Sequence, residues 1–299
     1  MAVAKHARDR AGSRPGVRAL CSAAAFATAL ALLLTACTPN PLSTLPKGDW
    51  QLVASGPTVR YYKLANSGPE RDPEVAVARL ESFLADIGPQ WRVPDELHYY
   101  AFADRETLRA KTGWDVTGRA VIDRDAVVSI YASDAHEVAH VLTAPPGRPL
   151  RLANFWLEGI AMYYTWPEVY FGEAGVDGRP IRMGTWQGRS VHAWAQDAHL
   201  AGDLPPLTDV VHGNRSWGAL DDGVSYPMAG SFTTYLLGPG HQDHERIAAL
   251  RSFFDDANEA RSAAEVALAF AHHLGVTLTD AEVAWLAFLE GWDEAALER

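Results

Sequence analysis

The pentad His136-Glu137-x-x-His140 constrains this chain more than any other stretch. In a helix over 134–143 the two histidines sit one turn apart on one face, so both rings can reach a single ion. Glu137 lies about 100° round the helix from His136. It is therefore beside that ion without ligating it, where a general base for a metal-activated water belongs. Two histidines leave a tetrahedral site short of a protein ligand. Further on, Phe155-Trp156-Leu157-Glu158-Gly159-Ile160-Ala161 puts a carboxylate in an apolar, aromatic helix, where a charge is rarely left unpaired. With Glu158 as third ligand the set is His₂Glu, suited to Zn²⁺ with one position open to water.

These two stretches resemble the gluzincins, thermolysin-like zinc peptidases, and most closely the bacterial peptidase MA-like branch. Members of that branch carry His-Glu-x-x-His and then Trp-Leu-x-Glu-Gly-x-Ala on the next helix. The run from Trp156 to Ala161 lacks only the spacer before Glu158. The resemblance implies zinc ligands His136, His140 and Glu158, Glu137 as catalytic base, and a peptide or protein substrate. It continues in Tyr226-Pro227-Met228-Ala229-Gly230-Ser231-Phe232, which looks like the helix carrying a transition-state tyrosine in related aminopeptidases. Tyr226 is thus the first candidate for the oxyanion donor, with His212 and His241 as rivals. Residues 270–275 and 285–289 are similar to the branch's closing helices. The resemblance spans residues 50–290 and is specific only around 134–161.

Two departures matter. Asp134 stands two before His136, a place usually uncharged in zinc peptidases. Asp accepts backbone N–H bonds at helix starts, so Asp134 reads as an N-cap. Its spacing to Glu137 is also that of a capping box, which would turn Glu137 back toward the backbone. Ser133 as the cap would relieve that conflict, and both remain open here. Second, the Gly-x-Met-Glu-Asn element with which aminopeptidases of this clan hold a free amino terminus is missing. Val127-Val128-Ser129-Ile130-Tyr131 stands in its place, which argues against a strict aminopeptidase.

Residues 1–36 read as a secretory leader, with Lys5, Arg8, Arg10, Arg14 and Arg18 before an apolar run from Ala19 to Ala36. The run closes in Leu34-Thr35-Ala36-Cys37, which resembles a bacterial lipobox and implies cleavage before Cys37 with diacylglycerol on its sulfur. An exported, membrane-anchored lipoprotein follows, its domain lifted on a Pro-rich tether over 37–49 (Pro39, Pro41, Pro46). The leader takes five Lys/Arg and one Asp with it, so the mature chain carries 21 basic and 36 acidic residues, net −15. Such a surface repels nucleic acid and anionic head groups, so nucleic acid is not an expected partner and membrane attachment rests on the lipid. Cys21 goes with the leader, which leaves no disulfide to stabilise the fold.

The remaining chain predicts an α+β fold of thermolysin-like architecture: a small mixed sheet lobe over 50–132, then a mainly helical catalytic lobe over 133–299. Strands are expected at 51–54, 58–64, 96–102 and, one or two of them, at 120–131. Helices are expected at 73–87, 105–111, 190–200, 226–237, 241–257, 261–274 and 279–290, with Thr279 and Glu282 as a capping-box pair. Val127–Tyr131 is the expected edge strand for an extended substrate, and 172–188 a loop near the cleft. His192, His244, His272 and His273 read as solvated or helix-end residues. The function expected is a zinc-dependent peptidase acting outside the cytoplasm. The alternative is a non-catalytic surface lipoprotein that keeps zinc for stability and acts in binding or assembly.

Overall fold

The N-terminal alternating runs fold as strands. β1 (Trp50–Ser55) and β2 (Val59–Leu64) form an antiparallel pair, and β3 (Leu97–Ala101), β4 (Gly118–Val121) and β5 (Ala126–Ser129) complete one sheet in the order β1-β2-β3-β5-β4. β2–β3 and β3–β5 are parallel, while β4 returns antiparallel to β5. The computed structural model describes residues 48–65, 72–145, 149–165, 185–186, 189–213, 217–238 and 243–293. The leader, Cys37, most of the tether, His241 and all but Thr185 and Trp186 of the expected 172–188 loop lie outside the described residues. Among those described, no helix is long and apolar enough to cross a membrane.

The expected edge strand is corrected. β5 lies between β3 and β4, and the sheet's edge beside it is β4. All four residues of β5 are buried. A strand covered on both faces reads as an unbroken apolar run, and that run says nothing about which neighbours it has.

Helices cover both faces of the sheet, Leu108 closing a smaller cluster with Tyr100, Val121, Ala126 and Val128 on one of them, and then build the rest. In α1 (Pro73–Ile87), Asp72 caps by accepting from the Glu74 N–H, and Pro73 opens the first turn, where its missing N–H costs nothing. Ala76, Val77, Leu80, Phe83, Leu84 and Ile87 form its buried stripe. Val75 lies off that stripe and faces solvent at 48% exposure. Then come α2 (Arg105–Thr112), α3 (Ala135–Thr143) and α4 (Asn154–Tyr163), a short β6–β7 pair (Thr185–Trp186, Arg189–Ser190), and α5 (Val191–Ala201). The chain closes with α6 (Leu207–Val210), α7 (Asp222–Leu237), α8 (His244–Glu259), α9 (Ala263–Leu274) and α10 (Leu278–Glu290). One apolar core runs from Val59 in β2 to Leu289 in α10, so sheet and helices share it across the expected 132/133 boundary.

Helices expected from 241 and 261 begin at His244 and Ala263, behind the caps Asp243 and Ser262, and two other starts differ more instructively. α7 begins at Asp222, a turn before Tyr226, because Asp221 caps it by accepting from the Gly223 N–H at 2.8 Å. Pro227 therefore sits inside the helix and not at its first turn. α10 is opened by Thr277 and not Thr279: the Thr277 hydroxyl accepts from the Asp280 N–H and donates to its carboxylate. Both spacings fit a capping box, and burial of Leu278 decides between them. Glu282 instead accepts from the Leu207 N–H at 2.7 Å, tying α10 to α6.

His192 also departs from expectation, being 3% exposed under Trp292 and Phe288. Trp285 donates its indole N–H to Ser231, whose hydroxyl is hydrogen-bonded with His192 Nδ1 at 2.8 Å. Burial pushes the imidazole down to about 4, so the ring stays neutral in the fold. The unfolded chain, with a histidine near 6.5, binds more protons between pH 6.5 and 4, so stability falls as pH drops through that window. Urea melts of the parent are expected to lose about 3 kcal/mol more over this range than those of His192→Gln. Parallel pH profiles for the two proteins would refute the assignment. Of the other histidines, His244 and His272 are exposed, and His273 pairs with Asp256 at 2.7 Å.

Candidate metal centre

α3 is held from its first residue. Asp134 is the N-cap: one carboxylate oxygen accepts from the Glu137 N–H at 3.3 Å and the other from the Ser129 hydroxyl at 2.7 Å. Ser129 in turn accepts from the Tyr131 N–H at 3.0 Å. An aspartate 2% exposed needs these partners. The capping box is only half made. Among the described residues Glu137 returns no bond to the cap's backbone, and its side chain lies against the edge strand instead. A Cβ built on Gly118 of β4 would come within 2.5 Å of Asp134 Oδ2 and 3.2 Å of Glu137 Oε1. Only glycine lets β4 cross the start of α3 this closely.

The three expected ligands converge. His136 Nε2 lies 3.0 Å from Glu158 Oε2 and 3.1 Å from His140 Nε2, and His140 Nε2 lies 3.4 Å from the same carboxylate oxygen. Donors about 2.0–2.1 Å from a four-coordinate ion stand about 3.3 Å apart, so this triangle has the size a metal requires. Two ring nitrogens facing each other at 3.1 Å have room for one proton between them, whereas an ion uses both lone pairs. The group is buried and could hold a metal.

Electrostatics point the same way. Burial alone would raise Glu158, but the charge of His140 and the hydrogen bonds from both rings outweigh it and hold the carboxyl well below the usual range. Burial would likewise lower His136, yet the Glu158 bond and charge push it up to about 9. Glu137 is pushed up to about 7 by burial and by the charge of Asp134, against the opposing pull of His136 and His140. A carboxyl poised near neutrality beside three converging donors suits proton transfer.

Glu158 reaches the site because α4 is apolar nearly all round and sinks into the core. Gly159 makes this possible: a Cβ there would collide with Thr233 Oγ1 and come within 2.8 Å of the Ala229 carbonyl oxygen on α7. Close α4–α7 packing also brings Tyr226 to the group, its ring centroid 6.3 Å from that of His136. Tyr226 stacks on Trp186 at 5.2 Å and meets Trp217 edge-on at 5.9 Å. Burial, then the charge of Glu158, raise its phenol well above the ordinary value, so it keeps its proton. His212 is exposed in the bend after α6.

Two residues around the site carried no expectation in the sequence: Ser129 and Thr165. Thr165 Oγ1 donates to the Ala161 carbonyl at 2.8 Å and stands 3.4 Å from His136 Nδ1, the ring nitrogen turned away from the ligand group. Such a partner sets tautomer and ring orientation. Its spacing of two helical turns from Glu158 was a visible signal. Searches against models of known protein families and against curated protein sequences return no match to this chain.

Proposed function

We propose that the chain is a zinc-dependent peptidase of thermolysin-like architecture, exported as a lipoprotein and acting on peptides outside the cytoplasm. The observation that carries this reading is the buried His136–His140–Glu158 triangle with Glu137 beside it and not in it. A site needed only for stability has no use for a base next to an open position. Zinc bound by the three residues supplies Lewis acidity toward water and toward a peptide carbonyl.

The chain's own residues account for the rest. Glu137, ionisable near neutrality, takes a proton from water and passes it to the leaving amine. Tyr226, protonated at every physiological pH, donates a hydrogen bond to the oxygen that gains charge. β4 offers a sheet edge above α3 along which an extended substrate can add as a further strand. Thr165 keeps His136 Nδ1 turned outward from the ligands.

The test is metal content together with cleavage of a mixed peptide library, before and after chelation. About one zinc per chain is expected, with cleavage lost on chelation and restored by zinc. Zinc bound with no cleavage would move the binding or assembly lipoprotein ahead, and no bound metal would overturn the assignment of the triangle.

A further inference from the structure

Next to Gly118 on the edge strand stands Arg119, and nothing in the reading above uses it. Its guanidinium lies over the Trp114 indole with 4.5 Å to the ring centroid. Trp114 itself is 8% exposed, so the platform is fixed while the cation above it is only half-buried. Among the described residues Arg119 makes no ion pair and no hydrogen bond. The neighbouring cation, Arg105, is spoken for by Asp115 at 3.1 Å. The carboxylate that acts on Arg119 through space is Glu137, the proposed base. A half-buried arginine seated over an aromatic ring has less rotamer freedom left to lose, and its N–H donors can meet an oxyanion ligand.

Register says what could meet it. Arg119 pairs with Val128 of β5 on its inner side, and β4 has no strand on its other side. A peptide added there as a further strand places one side chain directly across from Arg119, at about 4.5–5.5 Å between Cβ atoms. Opposite charges at such positions attract and like charges repel. The chain as a whole is acidic, net −11, which makes a lone cation at this edge a local selector and not part of a basic face.

Resting on the peptidase reading, we infer that Arg119 is a specificity-determining residue that binds a carboxylate of the substrate strand lying against β4. That carboxylate belongs either to an Asp or Glu side chain or to the peptide's own C-terminus. The two sources share one chemistry and separate in the test.

The experiment compares synthetic peptides as isosteric pairs, Asp against Asn, Glu against Gln, and free against amidated C-terminus. Binding to the full zinc-loaded chain is followed by tryptophan fluorescence for the parent, Arg119→Met and Arg119→Lys, and cleaved bonds are read by mass spectrometry. Carboxylate peptides are expected to bind the parent about tenfold more tightly than their amide partners. The preference should fall to within about twofold in Arg119→Met and survive in part in Arg119→Lys, which keeps charge without the planar fork. An unchanged thermal midpoint for Arg119→Lys guards against misfolding as the cause. A preference for Asp and Glu pairs assigns a side-chain carboxylate, and a preference for free C-termini assigns the terminus. Equal binding of both members of every pair by the parent, or a preference that persists in Arg119→Met, would overturn the inference. Binding preference without any cleavage would sink the peptidase reading alone, and cleavage without preference would sink the Arg119 role alone.

Discussion

Glu137→Gln is expected to keep its metal and lose its activity. Glutamine has nearly the shape of glutamate, so the contacts with Gly118 and the start of α3 survive. The three candidate metal donors are other residues, and none of their mutual distances of 3.0–3.4 Å involves a Glu137 atom. What disappears is a carboxylate able to accept a proton near neutrality. General-base catalysis is worth about 10²- to 10⁴-fold, so kcat/KM for any peptide the parent cleaves should fall by at least about 10²-fold at unchanged zinc stoichiometry. Stability should hold or rise, because the variant no longer buries a second negative charge beside Asp134. Metal analysis, library cleavage and a thermal melt on one preparation decide the matter. Retained activity would remove Glu137 from the mechanism, and lost zinc would make it a ligand.

Trp156→Ala should be the most damaging change away from the metal. Trp156 is 1% exposed and packs against Phe155, Phe232, Phe253 and Phe270, with its centroid 4.7 Å from Phe253. Its indole N–H donates to the Val211 carbonyl at 3.1 Å, in a buried setting that offers no water as substitute. Truncating a core tryptophan costs about 3–5 kcal/mol, a large share of the 5–15 kcal/mol typical of a domain. Trp156 also sits two residues before Glu158, so a shift of α4 into the cavity would carry the third candidate donor with it. A urea melt should show the midpoint collapse, and excess zinc should recover part of it, since a ligand bound only by the folded chain stabilises that state. A loss below about 1 kcal/mol would mean the core refills the hole.

The site was legible because its signals are local. His136, Glu137 and His140 are placed by one helix period, and Glu158 announces itself as a charge inside Phe155–Ala161. Helix stripes in α1 and the apolar strands read through for the same reason. Failures came where two local rules compete or where a long-range contact decides. Thr277 and Thr279 both have a capping partner three residues on, and only the burial of Leu278 separates them. Asp134 and Ser133 both stood open as the cap of α3, and the Glu137 N–H bonded to Asp134 Oδ1 decides for Asp134. His192 looked like a surface residue because nothing near it in sequence reveals Ser231, Trp285 or Trp292.

The amino-acid sequence by itself determined which three side chains converge at the candidate metal centre, the carboxylate beside them and the division into a strand-rich beginning and a helical remainder. Each of these follows from spacing along a few turns of chain. Tertiary structure alone decided that β4 and not β5 is the sheet edge, that Gly118 lies on Glu137, that Thr165 backs His136 and that Arg119 flanks the edge. These depend on which distant segments pair and how closely they pack, and no period along one segment encodes its neighbours.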